Sequence, residues 1–209
     1  KHDDIKFIPG IEAYFCDDRF VKETIKQENA NGLIDGSDKR YYHLTLLAEN
    51  NIGYHNLLKI SSDAFINGAF YKPRTDWSML ESHSEGLIAT TGCLGGVVLQ
   101  KLLHGDTEGA TAAAARLQDI FGRDNLFIEL MNHNIPEQLK TNPQLIEISK
   151  RLNAPLVATN DSHYTKKEHH TSHDALVSHG ALPAAVAAAA VGGLACSGCV
   201  ACWVESQPR

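Results

Sequence analysis

The feature that most constrains this fold is a set of short, near-continuous apolar runs separated by segments of helical periodicity. The runs are "GLIATTGC" (residues 86–93), "NLFIELMNH" (125–133) and "APLVATNDSHY" (154–164). Apolar runs of that length without polar alternation read as strands covered on both faces. Strands that alternate with helices imply an α/β fold, a mainly parallel sheet or barrel with helices outside.

The remaining elements follow from the same patterning. "IKFIPGIEAYF" (5–15) reads as a strand broken at Pro9-Gly10, with Glu12 among apolar neighbours. "YYHLTLLAE" (41–49) alternates, placing His43, Thr45 and Leu47 on one face and Tyr42, Leu44 and Leu46 on the other. Between them, residues 17–40 lack an apolar face and read as a long loop. Helical spacing runs through Ile52, Leu57, Leu58 and Ile60, with Asn50 or Asn51 as the cap. "INGAFYKPR" reads as a loop and "TDWSMLESHSE" as a short amphipathic helix capped by Thr75. "LGGVVLQKLLHGD" is a helix stopped by Gly105, and "TEGATAAAARLQDIFG" one capped by Thr107 and ended by Gly122. "PEQLKTNPQLIEISKRLN" is a helix interrupted near Pro143.

In such folds chemistry collects at the C-terminal ends of strands. Cys93, Asn132 with His133, and Asp161 with His163 all fall at such ends, whereas His43 comes early in its strand. Side chains at i and i+2 of a strand point the same way, their Cα atoms about 6.5–7 Å apart, so Asp161 and His163 would converge on one point. A carboxylate beside an imidazole suits Zn, Mn or Fe, although D-x-H alone is more often a turn cap beside a surface histidine. Glu12, costly to bury unless paired or bound to a cation, His43 and Cys93 add ligand-type residues from other strands. Together the five exceed the needs of one tetrahedral ion and point to a cluster of metals suited to phosphoester hydrolysis. Glu129 and His133 read as supporting or substrate-contacting residues. Lys72 and Arg74, beside Phe70 and Tyr71, form a cationic and aromatic stretch suited to a nucleic-acid backbone or simply to a solvated loop. His169, His170 and His173 read as exposed residues at a polar helix start.

Composition limits the partners. The chain carries 19 Lys and Arg against 25 Asp and Glu, a net charge of −6, which argues against attachment to nucleic acid by bulk positive potential but permits a cation site. Its five cysteines form no regular disulfide framework and fit a reducing compartment. No secretory signal opens the chain, and Lys1 reads as the interior of a longer protein. From about Ser178 the sequence turns to Ala, Gly and Val. Residues 181–201 have the length to span a bilayer, but Ala and Gly carry little transfer free energy and no basic flank marks an inside end. Residues 179–209 therefore read as a low-complexity tail or a stretch outside the native frame. Its Cys196-x-x-Cys199-x-x-Cys202 lacks the fourth cysteine of an iron–sulfur motif.

The stretches "IPGIEAYF", "YYHLTLLAEN", "GYHNLLKISS", "GLIATTGCLGG", "DNLFIELMNH" and "PLVATNDSHY", in this order, resemble the PHP (polymerase and histidinol phosphatase) family. Within it they resemble the PHP domains of bacterial replicative DNA polymerase III alpha subunits, over residues 4–177. The resemblance implies a distorted (β/α) barrel, here a partial domain over 1–178 whose first strands precede Lys1. It implies a cluster of up to three divalent metal ions, Zn or Mn, with Glu12, His43, Cys93, Asp161 and His163 in ligand positions and no assignable catalytic residue. The His-x-His, Asp and "TDHG" histidine of the family have no counterpart in this sequence. In the intact protein the implied role is 3′–5′ proofreading exonuclease or support of the DNA-directed polymerase, a nucleotidyltransferase of DNA replication. The piece itself would have little or no activity. DNA and other replicase subunits are the implied partners, with no membrane and a cytoplasmic location. The alternatives are a stand-alone metal-dependent phosphoesterase and a non-catalytic structural module. Reading the coding DNA past codon 178 in the other two frames is expected to recover a globular continuation; finding none would leave the tail as genuine sequence.

Overall fold

The computed structural model describes residues 7–23 and 41–180. The described residues divide into two compact units, one holding those up to Thr159 and the other those from Asn160 onward. Residues 24–40 of the loop expected at 17–40, and residues 181–209 of the tail expected at 179–209, with its three cysteines, lie outside the described residues.

In the first unit, β1 (Gly10–Phe15) pairs antiparallel with β2 (Tyr42–Ala48), with Glu12 opposite Thr45 and Tyr14 opposite His43. The alternation in β2 produces the expected two faces. Tyr42, Leu44, Leu46 and Ala48 are buried while His43, Thr45 and Leu47 are half-buried. Helix α1 (Asn51–Ile66) starts on Asn50, whose side chain accepts from the amides of Ile52 and Gly53. It buries Leu57, Ile60 and Ala64, whereas Ile52 and Leu58, expected on the same apolar face, are 51% and 48% exposed. Gly53 is where the helix touches the chain before the fifth strand, since a Cβ there would fall 1.8 Å from the carbonyl oxygen of Gly86.

The stretch read as a loop is a hairpin, β3 (Ala69–Phe70) and β4 (Lys72–Thr75), turned at Tyr71 in the left-handed region (φ 61°). Helix α2 (Trp77–Ser82) is capped by Asp76 rather than Thr75, which ends β4. After β5 (Leu87–Thr90) come α3 (Val97–Leu103) and α4 (Thr107–Phe121). The cap of α4 is Asp106, one residue ahead of the expected Thr107, because its carboxylate reaches the Gly109 amide at 2.8 Å. β6 (Leu126–Leu130), α5 (Pro136–Leu152) and β7 (Leu156–Ala158) complete the unit. α5 continues through Pro143, which is exposed, so the Leu139 carbonyl deprived of a helical donor lies on a solvent-facing side.

The strand order is β3-β4-β1-β2-β5-β6-β7. The sheet is mixed rather than mainly parallel: β1–β4, β5–β6 and β6–β7 are parallel, and β1–β2, β2–β5 and β3–β4 antiparallel. Among the described residues it is open, with β3 and β7 at its edges. Leu156 in edge strand β7 is 45% exposed, against the expectation of a buried strand. The core lies between the sheet and α1, α3, α4 and α5, where Leu44, Leu46, Leu87, Ala89 and Ile128 meet Ile60, Val98, Leu102, Leu117 and Leu145. The second unit holds a short 3-10 turn and α6 (His170–Gly180). His169 and His170 are exposed there, as expected, and His173 is partly covered. Among the described residues no helix is long and apolar enough to cross a membrane.

The segment after β1 is fastened by a buried ionic network. The Arg19 guanidinium meets Asp76 at 2.7 Å and Asp63 at 2.6 Å, and the Arg19 and Met79 amides donate to the Asp76 carboxylate. Burial alone would raise the Asp76 carboxyl. The two amides and then the guanidinium outweigh it and hold the group below its ordinary value of 3.8. A lowered folded-state pKa stabilises the fold fully above 3.8, and that contribution is lost as pH falls through the folded value. Asp76→Ala leaves Arg19 short of a partner and α2 uncapped, and is expected to cost about 3–5 kcal/mol in urea unfolding at neutral pH. The gap from the unsubstituted protein should narrow as pH drops below 3.8.

Candidate metal centre

Glu12 on β1, His43 on β2 and Cys93 beyond β5 converge, with ligand atoms all within 4.8 Å of one another among the described residues. The Nδ1 of His43 is 3.0 Å from Oε1 of Glu12 and 3.4 Å from Sγ of Cys93. The direction of β2 brings them together. Because it runs antiparallel to both neighbours, its beginning lies beside the ends of β1 and β5. His43 thus reaches the same edge as Glu12 and Cys93 although it comes early in its strand.

Cys93 sits in a turn at residues 91–96, three residues past the end of β5. Gly92 takes φ 77°, the Gly96 amide donates to the Cys93 carbonyl at 2.8 Å, and the His43 amide donates to the Gly95 carbonyl at 3.0 Å. The Gly95 amide points at the sulfur, 3.4 Å away. A Cβ on Gly95 would lie 3.1 Å from His43 Nδ1 and 3.5 Å from the Cys93 sulfur, so glycine leaves the space against the trio clear. Tyr41 stacks parallel to the imidazole, and Tyr14 meets it edge-on with centroids 5.7 Å apart.

The His43 imidazole is pushed up to about 10, by hydrogen bonding to Cys93 first and to Glu12 second, against burial, which lowers it. A hard carboxylate, a borderline imidazole and, once deprotonated, a soft thiolate on one point fit a borderline divalent ion such as Zn²⁺. Glu12 is half-exposed rather than buried, which leaves its carboxylate room for a second partner.

The other expected site residues are distributed differently. Asp161 and His163 do not lie on a strand, because β7 ends at Ala158; they are exposed in the following turn, where Asp161 has φ 40° and its carbonyl is 2.8 Å from His163 Nδ1. Their side chains therefore do not follow strand spacing, and both belong to the second unit. Arg74 is buried, not presented to a substrate; its guanidinium donates to the carbonyls of Gly68, Arg19 and Val21 because β4 lies inside the sheet next to β1. Lys72 is half-buried, its Nζ 5.5 Å from the centre of the Tyr14 ring. His133 is exposed and held by buried Gln138, whose side chain accepts from the His133 amide and approaches its Nδ1 at 3.0 Å. Glu129 is buried. Two residues that the sequence reading passed over, Tyr41 and Gly95, wall the trio. The glycine-rich "TGCLGG" was the available signal for the second.

The chain belongs to the PHP domain family, whose model matches residues 1–133. Its curated relatives include DNA polymerase III subunit alpha of Treponema pallidum (strain Nichols), 43% identical over 165 residues, covering 78% of this chain and 13% of the relative. The subunit of the same name from Thermus aquaticus is 41% identical over 165 residues, again 78% of this chain and 13% of the relative. That from Aquifex aeolicus (strain VF5) is 41% identical over 169 residues, 80% of this chain and 14% of the relative. The chain thus spans about an eighth of the length of these relatives.

Gly95→Ala should press on His43 and weaken Zn²⁺ binding by roughly tenfold, measured by competition with a chromogenic chelator, while the melting midpoint of the metal-free chain moves little.

Proposed function

We propose that this chain is part of a bacterial DNA polymerase III alpha subunit and forms part of its PHP domain, which in the intact protein binds metal and acts as a 3′–5′ exonuclease that removes mispaired primer ends during replication or else stabilises the polymerase. The observation that carries the reading is the convergence of Glu12, His43 and Cys93 at one strand-end edge. In this reading the family resemblance also gives Asp161 and His163 ligand positions, the set being only partly present in this sequence, and the open sheet is part of the family's distorted barrel. A divalent ion held there, Zn²⁺ or Mn²⁺, supplies Lewis acidity and neutralises charge on a phosphodiester. Around it, Glu12 and Cys93 contribute negative charge for the ion and His43 a neutral nitrogen. Lys72, over the Tyr14 ring, adds positive charge for a DNA phosphate. DNA and the other replicase subunits are the partners of the whole protein, and the cytoplasm its place of action.

The test uses the intact alpha subunit. Asp161→Asn and Cys93→Ser should each slow excision of a mismatched 3′ terminus by roughly tenfold to a hundredfold, the range for disturbed metal ligation, with primer extension retained. Undiminished excision in both variants rules out the exonuclease reading. Stability unaffected by a chelator, in a domain without bound metal, would favour a bracing module instead. Preference for a chromogenic phosphate monoester over single-stranded DNA would favour a stand-alone phosphoesterase.

A further inference from the structure

We propose that Glu129 is the positioning residue for Cys93: its buried carboxylate holds the turn at residues 91–96 in register with His43 and so sets how tightly the site binds a divalent cation. The inference rests on reading Glu12, His43 and Cys93 as metal ligands.

Glu129 is the fourth residue of β6, between β5 and β7, and is 5% exposed. A carboxylate taken that far from water costs several kcal/mol unless it is hydrogen-bonded. Its partners come from the ends of both neighbouring strands. On one oxygen the Thr90 hydroxyl and the Gly92 amide converge, the latter at 3.1 Å, and the Thr159 hydroxyl donates to the other. The Glu129 amide in turn donates to the Thr91 hydroxyl at 2.9 Å.

Three consecutive residues, Thr90, Thr91 and Gly92, are therefore fixed by one residue of β6, and Cys93 is the next in the chain. Gly92 carries the left-handed backbone that turns the chain toward His43, and its amide is the group the carboxylate captures. An apolar side chain would fill this interior as well. A carboxylate collecting directed donors also fixes orientation, which a ligand 3.4 Å from its neighbour requires. On the other oxygen, Thr159 stands two residues ahead of Asp161 in the chain.

The experiment takes the full 209-residue chain carrying C196S, C199S and C202S, leaving Cys93 and buried Cys16 as the thiols. Co²⁺ is titrated at a temperature where circular dichroism shows each variant folded, and the thiolate-to-cobalt charge-transfer band is followed. The band should appear with Glu129 intact and vanish on Cys93→Ser. Glu129→Ala should weaken Co²⁺ binding by about 10–100-fold, whereas Glu129→Gln, whose amide oxygen still accepts from Gly92, should stay within about threefold. Thr90→Val, nearly isosteric, should weaken binding in the same direction by less. A purely structural role would lower the metal-free melting midpoint of Glu129→Ala and leave the Co²⁺ affinity of the folded chain unchanged, and that result overturns the inference. Should Glu129→Ala not fold, an unchanged affinity in Thr90→Val overturns it equally. Absence of the band in the chain with Glu129 and Cys93 intact overturns the metal reading itself, and the inference with it.

Discussion

The direction of β2 decides where Glu12, His43 and Cys93 meet. Inserted antiparallel between β1 and β5, it is the one central strand whose beginning, not its end, meets the edge at which its neighbours finish. A parallel β2 would carry His43 to the opposite side of the sheet, more than a strand length from Cys93. The short backbone link from His43 to Gly95 then draws the turn after β5 over the strand.

Two buried polar networks lie on either side of that edge and work alike. Arg19 with Asp63 and Asp76 fastens the segment after β1 to the first two helices, and Glu129 fastens the turn after β5 to β6. Each is favourable only because its donors and acceptors are matched. A half-satisfied network in a dry interior costs more than an apolar one. Segments that would otherwise wander are thereby held with the accuracy of regular structure, as ligand-bearing loops require.

Much of this was legible in the sequence, because burial and hydrogen bonding act locally. The alternation in "YYHLTLLAE" announced both faces of β2, and the apolar runs and helical spacings located β5, β6 and the long helices. Glu12, His43 and Cys93 stood out as ligand-type residues in apolar settings. What was not legible depended on partners distant in sequence. Strand direction is invisible to periodicity, so the sheet read as mainly parallel when half its pairings are antiparallel. Arg74 looked like a surface cation because the carbonyls of Arg19 and Val21 that receive it lie more than fifty residues earlier. Asp161 and His163 were read on strand geometry, yet the strand stops at Ala158 and the left-handed backbone at Asp161 leaves no extended alternation to follow. Pro143 read as a break because a pattern does not tell which side of a helix faces water.

The brevity of the two outermost strands has a further consequence. An open sheet normally invites foreign chains to add to its free backbone groups, the route to aggregation and fibre growth. Here one border is a two-residue strand that curls into a hairpin at Tyr71 and the other a three-residue strand running straight into a turn. Among the described residues neither border offers the run of unpaired amides and carbonyls that a stable intermolecular ladder needs.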